Sequence, residues 1–251
     1  MIKIPGKSSD YTRPRPKRFW AKTATSSAED GFRVLLDGRP VKTPAGSSLV
    51  LPSLELARRI ESEWSSVSEH LDYEALPLTR LAFAAIDIMP HGQSETIVEV
   101  LRYAETDLVS YPSTYPEALQ AREDAVWLPL IAWTGLALDL HFEQNRSLVH
   151  RPQPAPTLEK LQALVTAMSP WQQAGLMSAI PLLGSVVLAL ALSRGQVSGE
   201  QALAASLIGE DFQADIWGRD AEAALRADSM KKHALSLEVW FDALRHTVPK
   251  A

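Results

Sequence analysis

The sequence contains no cysteine among its 251 residues. Disulfide bonds, thiolate zinc sites and cysteine nucleophiles are therefore excluded, and a reducing compartment fits the chain without being required. The motifs GxGxxG, GxxxxGK[ST], GxSxG and HExxH are also missing. Nucleotide cradles, hydrolase elbows and zincin sites thus lack their physical parts, so we expect no cofactor and no enzyme.

An excess of positive charge is lacking as well, since the net charge is −5 and the pI is about 5.7. Nucleic acid is therefore not expected as the main partner, because phosphate binding needs a basic surface. The first 22 residues depart from this trend, with seven basic side chains against the single Asp10. We interpret residues 1–17 as a basic flexible arm, while an RNA-binding or membrane-peripheral role for this region stays open as an alternative.

Apolar residues are abundant enough for a core, at 46% of the chain. After residue 31, short apolar runs flank the dipeptide Asp37-Gly38, which predicts a hairpin that pairs 32–36 with 40–43. A third strand is predicted at 48–51. The helical pattern that follows Ser53 predicts a helix packed on this sheet.

Helical periodicity dominates from Leu78 onward. The predicted helices are 78–89, 95–108, 115–142 interrupted at Pro129, 157–168, 171–193, one that begins at Ser198, and 230–244. Strands followed by helices indicate the α+β class, with a small antiparallel β-rich domain at 18–76 and an all-α domain at 77–251.

Residues 171–193 carry no charge and are long enough to cross a bilayer. The segment nevertheless contains Gln172, Gln173 and Pro181, and no other segment offers a partner span. We interpret it as a buried central helix, so no stable membrane insertion is expected.

The stretch from Ser198 to Leu225 combines two different helix faces. Ser198 and Gln201 have the spacing of a capping box, which predicts a helix start. Glu210, Gln213 and Trp217 then share one stripe, whereas Ile208, Phe212 and Ile216 share another. The second stripe suits a core. The first, a carboxylate and an amide beside an indole, suits either a structural helix whose Glu210 finds a partner or a partner-binding surface.

Two charged residues lie in apolar surroundings, Arg80 in LPLTRLAFAAID and Asp107 in YAETDLVSYP. A buried arginine needs a carboxylate, so we predict a structural ion pair between Arg80 and Asp107. An enzyme that uses these two residues in an interdomain cleft is the alternative.

Several blocks of fixed order resemble the Atp12 family of ATP synthase assembly chaperones, over residues 18–244. The blocks are RFW (18–20), VLLDGRPVKTP (34–44), LPSLELARRIESEW (51–64), LPLTRLAFAAID (76–87), YAETDLVSYP (103–112), SVVLALALSRGQVS (185–198) and EDFQADIWGRDAEA (210–223). The resemblance implies an assembly chaperone for the F1 sector that binds the free alpha subunit and shields its beta-facing surface.

The resemblance also implies an essential acidic position in the last block, which we carry over first to Glu210. The residues implied in partner binding are Glu210, Asp211, Gln213, Trp217, Asp220 and Glu222. Gly209 and Arg219 stand where the family often has acidic residues, so which carboxylate dominates stays open. The chain begins 17 residues before the first block, from which we expect a bacterial cytoplasmic protein, with the mitochondrial matrix as the alternative. We also expect a monomer.

Overall fold

The structure is a computed structural model that describes residues 16–147, 149–218 and 221–245. Within these ranges, four short strands near the amino terminus precede all of the helices. The strands are β1 (Thr23–Ala28), β2 (Gly31–Leu36), β3 (Arg39–Pro40) and β4 (Val50–Leu51). The predicted α+β class is therefore confirmed.

Ten α-helices follow the strands in the described part of the chain. They are α1 (Leu54–Ser66), α2 (Pro77–Asp87), α3 (Gln93–Glu105), α4 (Glu117–Leu138), α5 (Ala155–Thr166), α6 (Pro170–Leu183), α7 (Val186–Arg194), α8 (Gly199–Ser206), α9 (Ile208–Trp217) and α10 (Ala221–Arg245). Among the described helices, we find none that combines the length and the apolar character needed to cross a bilayer.

Strand β2 is the centre of an antiparallel sheet, since β1, β3 and β4 all pair with it. The hairpin predicted at Asp37-Gly38 is confirmed, with Leu36 opposite Arg39 and positive φ angles at both turn residues. Strand β1 was not predicted, because TATSSA lacks the apolar alternation that marks a half-buried strand.

Helix α1 covers the sheet with a buried face that includes Ile60 and Trp64. One acidic side chain of this helix, Glu63, is partly buried. That carboxylate accepts hydrogen bonds from the backbone N–H groups of Leu78 and Thr79 at 2.7 and 2.9 Å, and so caps the start of α2. Burial raises the pKa of Glu63, although these hydrogen bonds act in the opposite direction.

The described residues group into two compact units. The first contains 16–92, 169–175 and 239–245, and the second contains 93–168 and 176–238 apart from the positions that are not described. Residues 77–92 group with the sheet, and the domain boundary expected at residue 77 stays a prediction.

Helix α7 forms the centre of the second unit. All seven side chains from Val186 to Leu192 are at most 1% exposed, and α3, α4 and α8 pack against it. The single helix predicted at 171–193 is in fact two helices. Gly184 adopts a left-handed φ of 64°, and Ser185 then caps α7 by accepting the N–H of Leu188 at 3.0 Å.

Asp107 links helix α7 to the turn that precedes α4 through hydrogen bonds. Its carboxylate is fully buried and accepts the N–H groups of Val186 at 2.6 Å, Val187 at 3.1 Å and Val109 at 3.1 Å. The bonds from Val186 and Val187 satisfy donors of the first turn of α7, where the helix dipole also favours a negative charge. Burial nevertheless raises the pKa of Asp107 to about 6, against the effect of its hydrogen bonds with Ser185 and the backbone.

The ion pair between Arg80 and Asp107 stays a prediction. Asp107 belongs to the second unit, and its oxygens are occupied by the backbone donors of that unit, so a counter-charge is not needed to explain its burial. Arg80 lies on α2 in the first unit, where its Nε is buried and has no hydrogen-bond partner among the described residues.

Replacing Asp107 by Asn is expected to destabilise the protein by about 1–3 kcal/mol in mildly acidic buffer, because an amide N–H would face backbone donors. A folded pKa above the ordinary value means that the native state binds the extra proton. The advantage of the wild type over Asp107→Asn should therefore shrink as the pH rises from about 4 to about 6, by at most about 1.4 kcal/mol per pH unit.

The measurement is the free energy of unfolding in urea for both proteins at several pH values across this window. Glu63 is common to both proteins, so its own titration cancels in the difference. An advantage of the wild type that grows with rising pH would show that the hydrogen bonds outweigh burial at Asp107.

Candidate functional site

The capping box predicted at Ser198 is present and begins α8. Ser198 Oγ accepts the N–H of Gln201 at 3.1 Å, and Gln201 Oε1 accepts the N–H of Ser198 at 2.9 Å. The helix ends at Ser206, however, and α9 starts at Ile208. The stripe of Glu210, Gln213 and Trp217 therefore lies on a separate helix of ten residues.

Helix α9 is held against α4 by Arg122. The Arg122 guanidinium lies 5.0 Å from the ring centre of Phe212, and its Nη1 is 2.7 Å from Asp215 Oδ2. One arginine thus combines a cation–π contact with an ion pair. A second arginine, Arg226 of α10, forms an ion pair with Glu210 of α9 at 3.4 Å.

No residue of α9 is buried, and this differs from the expectation of a core-facing stripe. Phe212 is half-buried under Arg122, but Ile216 at the end of the same stripe is 57% exposed. A helix that buries so little gains little stability from packing, since burial of an amphipathic face is the usual source of helix stability in proteins. Helix α9 is therefore more exposed than a structural role requires.

The stripe expected to bind a partner faces solvent. Trp217 is 85% exposed, and Glu210 and Gln213 are exposed as well. We call the α9 surface the five exposed side chains Glu210, Gln213, Asp215, Ile216 and Trp217. The ion pairs at this surface are open to water, so they hold their carboxylates only weakly.

The remaining residues implied in partner binding are placed differently. Asp211 is half-buried on α9, and Glu222 is exposed on α10, one turn before Arg226. Asp220 lies outside the described residues. Leu225 of α10, 74% exposed, was not singled out from the sequence, because a lone leucine in a polar helix gives no signal of its own.

Asp215 was missed as a member of this site because its role depends on Arg122, which is 93 residues away in the chain. Ile216 was missed because its spacing from Phe212 suggested a core position. Within the described ranges, we find no group of three His, Asp or Glu side chains that could hold a metal ion.

Trp217→Ala should change the free energy of unfolding by less than about 0.5 kcal/mol, because substitutions at exposed positions away from packing contacts are nearly neutral. Trp127 is the matched control, since it is 2% exposed and its Nε1 donates to the carbonyl of Ala205 at 2.9 Å. Trp127→Ala should cost about 3–5 kcal/mol. Urea unfolding followed by circular dichroism compares the two, and a large loss for Trp217→Ala would assign that indole a structural role.

Comparison with known proteins places this geometry in a family. The model of the family described as ATP12 chaperone protein matches residues 17–135. The mitochondrial protein atp12 of Schizosaccharomyces pombe is 27% identical over 243 residues, which cover 91% of this chain and 84% of that protein.

Solved structures agree with this match along almost the whole chain. The crystal structure of Atp12 from Paracoccus denitrificans is 37% identical with a TM-score of 0.83, covering 90% of this chain and 97% of that one. A protein from Agrobacterium tumefaciens is 32% identical with a TM-score of 0.84, covering 91% and 86%. The chain, with its amino-terminal sheet and the helices that present the α9 surface, belongs to the ATP12 chaperone family.

Proposed function

We propose that this protein binds the free alpha subunit of the F1 sector of ATP synthase and shields its beta-facing surface until assembly. The observation that carries the proposal is the α9 surface of a family chaperone, where Trp217 is 85% exposed beside unburied carboxylates. An isolated subunit that exposes an apolar interface tends to aggregate, and covering that interface prevents it.

Each residue of this surface has a role in the proposal. Trp217 supplies the apolar anchor, because tryptophans at the centre of an interface contribute much of the binding free energy. Glu210 and Gln213 form hydrogen bonds with polar groups of the client. Asp220 and Glu222 meet basic side chains of the client, and Asp211 adds negative charge to helix α9.

Because the ion pairs at this surface are exposed, breaking them costs little free energy when a client binds. Glu210 is already paired with Arg226, but both side chains are about two thirds exposed. Such a pair contributes little, so Glu210 can exchange Arg226 for an arginine or lysine of the client at small cost. Exclusion of water by the client would then strengthen the new pair.

The proposal describes a binding protein without enzymatic activity or cofactor, which acts as a monomer. We place it in the bacterial cytoplasm, with the mitochondrial matrix as the alternative. The solved relatives come from bacteria and are the more similar ones, whereas the relative from Schizosaccharomyces pombe is named as mitochondrial.

The test is a pull-down of the purified protein against separately expressed alpha and beta subunits, repeated with Glu210→Lys. The wild type should capture alpha and not beta. Glu210→Lys should raise the Kd for alpha at least about tenfold, since it replaces an attractive charge by a repulsive one. Glu159→Lys is the matched control, because Glu159 is an exposed carboxylate on α5.

Three results are informative. Capture of alpha by the wild type and Glu159→Lys, with loss in Glu210→Lys, supports both the function and the surface. Equal capture by all three proteins leaves the function standing and moves the contact away from Glu210. Failure of the wild type to capture soluble alpha overturns the proposal.

A further inference from the structure

Helix α9 lies in a segment of the second unit whose two ends are held by buried contacts. The first end is α8, which buries Ala202, Leu203 and Ala205. The carbonyl of Ala205 also accepts the indole N–H of the buried Trp127 of α4 at 2.9 Å. Because these side chains belong to a closely packed core, α8 cannot move without disturbing the packing around α4.

The second end of the segment is the later part of α10. Among the described side chains of this helix, Ala234 is the first that is buried, and Leu237 follows it. Glu238 accepts the N–H of Gly199, the first residue of α8, at 2.8 Å. A Cβ atom at Gly199 would lie 2.4 Å from the carbonyl oxygen of Ala234, so α8 and α10 are in close contact here. The two ends of the segment are thus joined to each other.

Between these two ends, the contacts of α9 are open to water. The helix has no buried residue and packs against α4 and α8. Its ion pairs, Asp215 with Arg122 and Glu210 with Arg226, are more than half exposed on both partners. Exposed ion pairs contribute little stability, and salt weakens them further. A helix of ten residues is marginal in water by itself, so α9 depends on these contacts.

The backbone at both ends of α9 suits a hinge. Leu207 precedes the helix with a φ of −103° and a ψ of 8°, and no side chain caps the helix there. Gly218 ends the helix with a φ of 83°, in the region that favours glycine. A Cβ atom at Gly218 would meet nothing within 4 Å. The chain can therefore change direction at these two residues without breaking a side-chain cap or a close contact.

We propose that α9 is a conformational device of the chaperone, a helix that separates reversibly from α4 by rotation at Leu207 and Gly218. In this open state, α8 and the part of α10 from Ala234 keep their packing. Arg122 is the residue that holds α9 in the closed position against α4. The proposal goes beyond the proposed function, because it describes the protein without a client and holds for any client.

Arg122 is assigned this role because it links the two helices by two contacts at once. It belongs to α4, and its guanidinium lies 5.0 Å from the ring centre of Phe212 and 2.7 Å from the carboxylate of Asp215. Phe212 is half-buried, whereas Ile216 at the end of the same stripe is exposed. Removal of the guanidinium therefore uncovers an aromatic ring and breaks an ion pair in one step.

Arg102 of α3 provides a matched control. It makes the same two kinds of contact, an ion pair with Glu99 at 2.7 Å and a cation–π contact with Tyr103 at 4.6 Å. Both of these partners lie on α3 itself, so the contacts join no second helix. An effect of Arg122→Ala that Arg102→Ala does not share is thus due to the link between α4 and α9.

The first test is hydrogen exchange of the full chain, measured by mass spectrometry, since exchange reports the population of locally open states. In the wild type, the amides of α9 should exchange at least about 100-fold faster than those of α7. Arg122→Ala should accelerate exchange in α9 about fivefold, because both contacts are lost, and should leave α7 and α8 unchanged. Arg102→Ala should leave α9 unchanged as well.

Salt provides a second variable in the same experiment. Raising the NaCl concentration from about 0.05 M to about 0.5 M should accelerate exchange in wild-type α9 about twofold, and should have no such effect in Arg122→Ala. Two results would overturn the proposal. One is exchange in α9 as slow as in α7, and the other is acceleration by Arg122→Ala that extends equally to α7 and α8, which indicates general destabilisation.

The absence of cysteine allows a direct distance measurement, because introduced cysteines alone carry the spin labels. Labels at Leu128→Cys of α4 and Gln213→Cys of α9, both exposed positions, should give a main distance and a minor longer one. Arg122→Ala should at least about double the longer fraction. Labels at Leu128→Cys and Ala204→Cys, the latter exposed on α8, should give one distance in both backgrounds. A single distance between α4 and α9 that Arg122→Ala leaves unchanged overturns the proposal.

Discussion

The buried carboxylate of Asp107 accepts the first two N–H groups of helix α7, beside the cap that Ser185 provides for Leu188. Helix α7 is enclosed on every side, so its first N–H groups cannot reach water and need a protein acceptor. Asp107 provides it from a turn 79 residues earlier in the chain. Because α4 packs on α7 and carries Arg122, the position of α9 depends on this contact through a short series of packed elements. The buried Asp107 thus helps to position helix α9, although α9 itself has no buried residue.

Local patterns in the sequence predicted most elements, because they depend on neighbouring residues. The Asp37-Gly38 turn, the capping box at Ser198 and the buried face of α1 all follow from side chains within one or two turns of each other. Where the pattern was interrupted by backbone conformation, the prediction was wrong. Gly184 looked like a small residue in an apolar helix, and its left-handed φ instead separates α6 from α7.

The features that were not predicted depend on contacts between residues far apart in the chain. Asp107 was correctly recognised as buried, but its neighbours in the sequence do not show that helix α7 supplies the donors. The stripe of Glu210, Gln213 and Trp217 was consistent with either a structural helix or a binding helix. The sequence does not show which elements pack around it. The exposure of Leu128 and Leu136 on helix α4 was not predicted for the same reason, since an apolar helix of that length is ordinarily interpreted as core. Exposure depends on which elements pack against a helix, and no local pattern encodes that.

The exposure of Trp217 would make its fluorescence sensitive to the proposed contact with a client. All seven tryptophans lie within the described residues, and among them Trp217 alone is exposed, whereas the others are buried or half-buried. Indole emission shifts to the blue when water is removed from the ring, so a client seated on α9 would change the fluorescence of this residue while enclosed indoles such as Trp127 and Trp240 stay constant. Under the proposed function, Trp217 would therefore report the binding and release of a client without any attached dye.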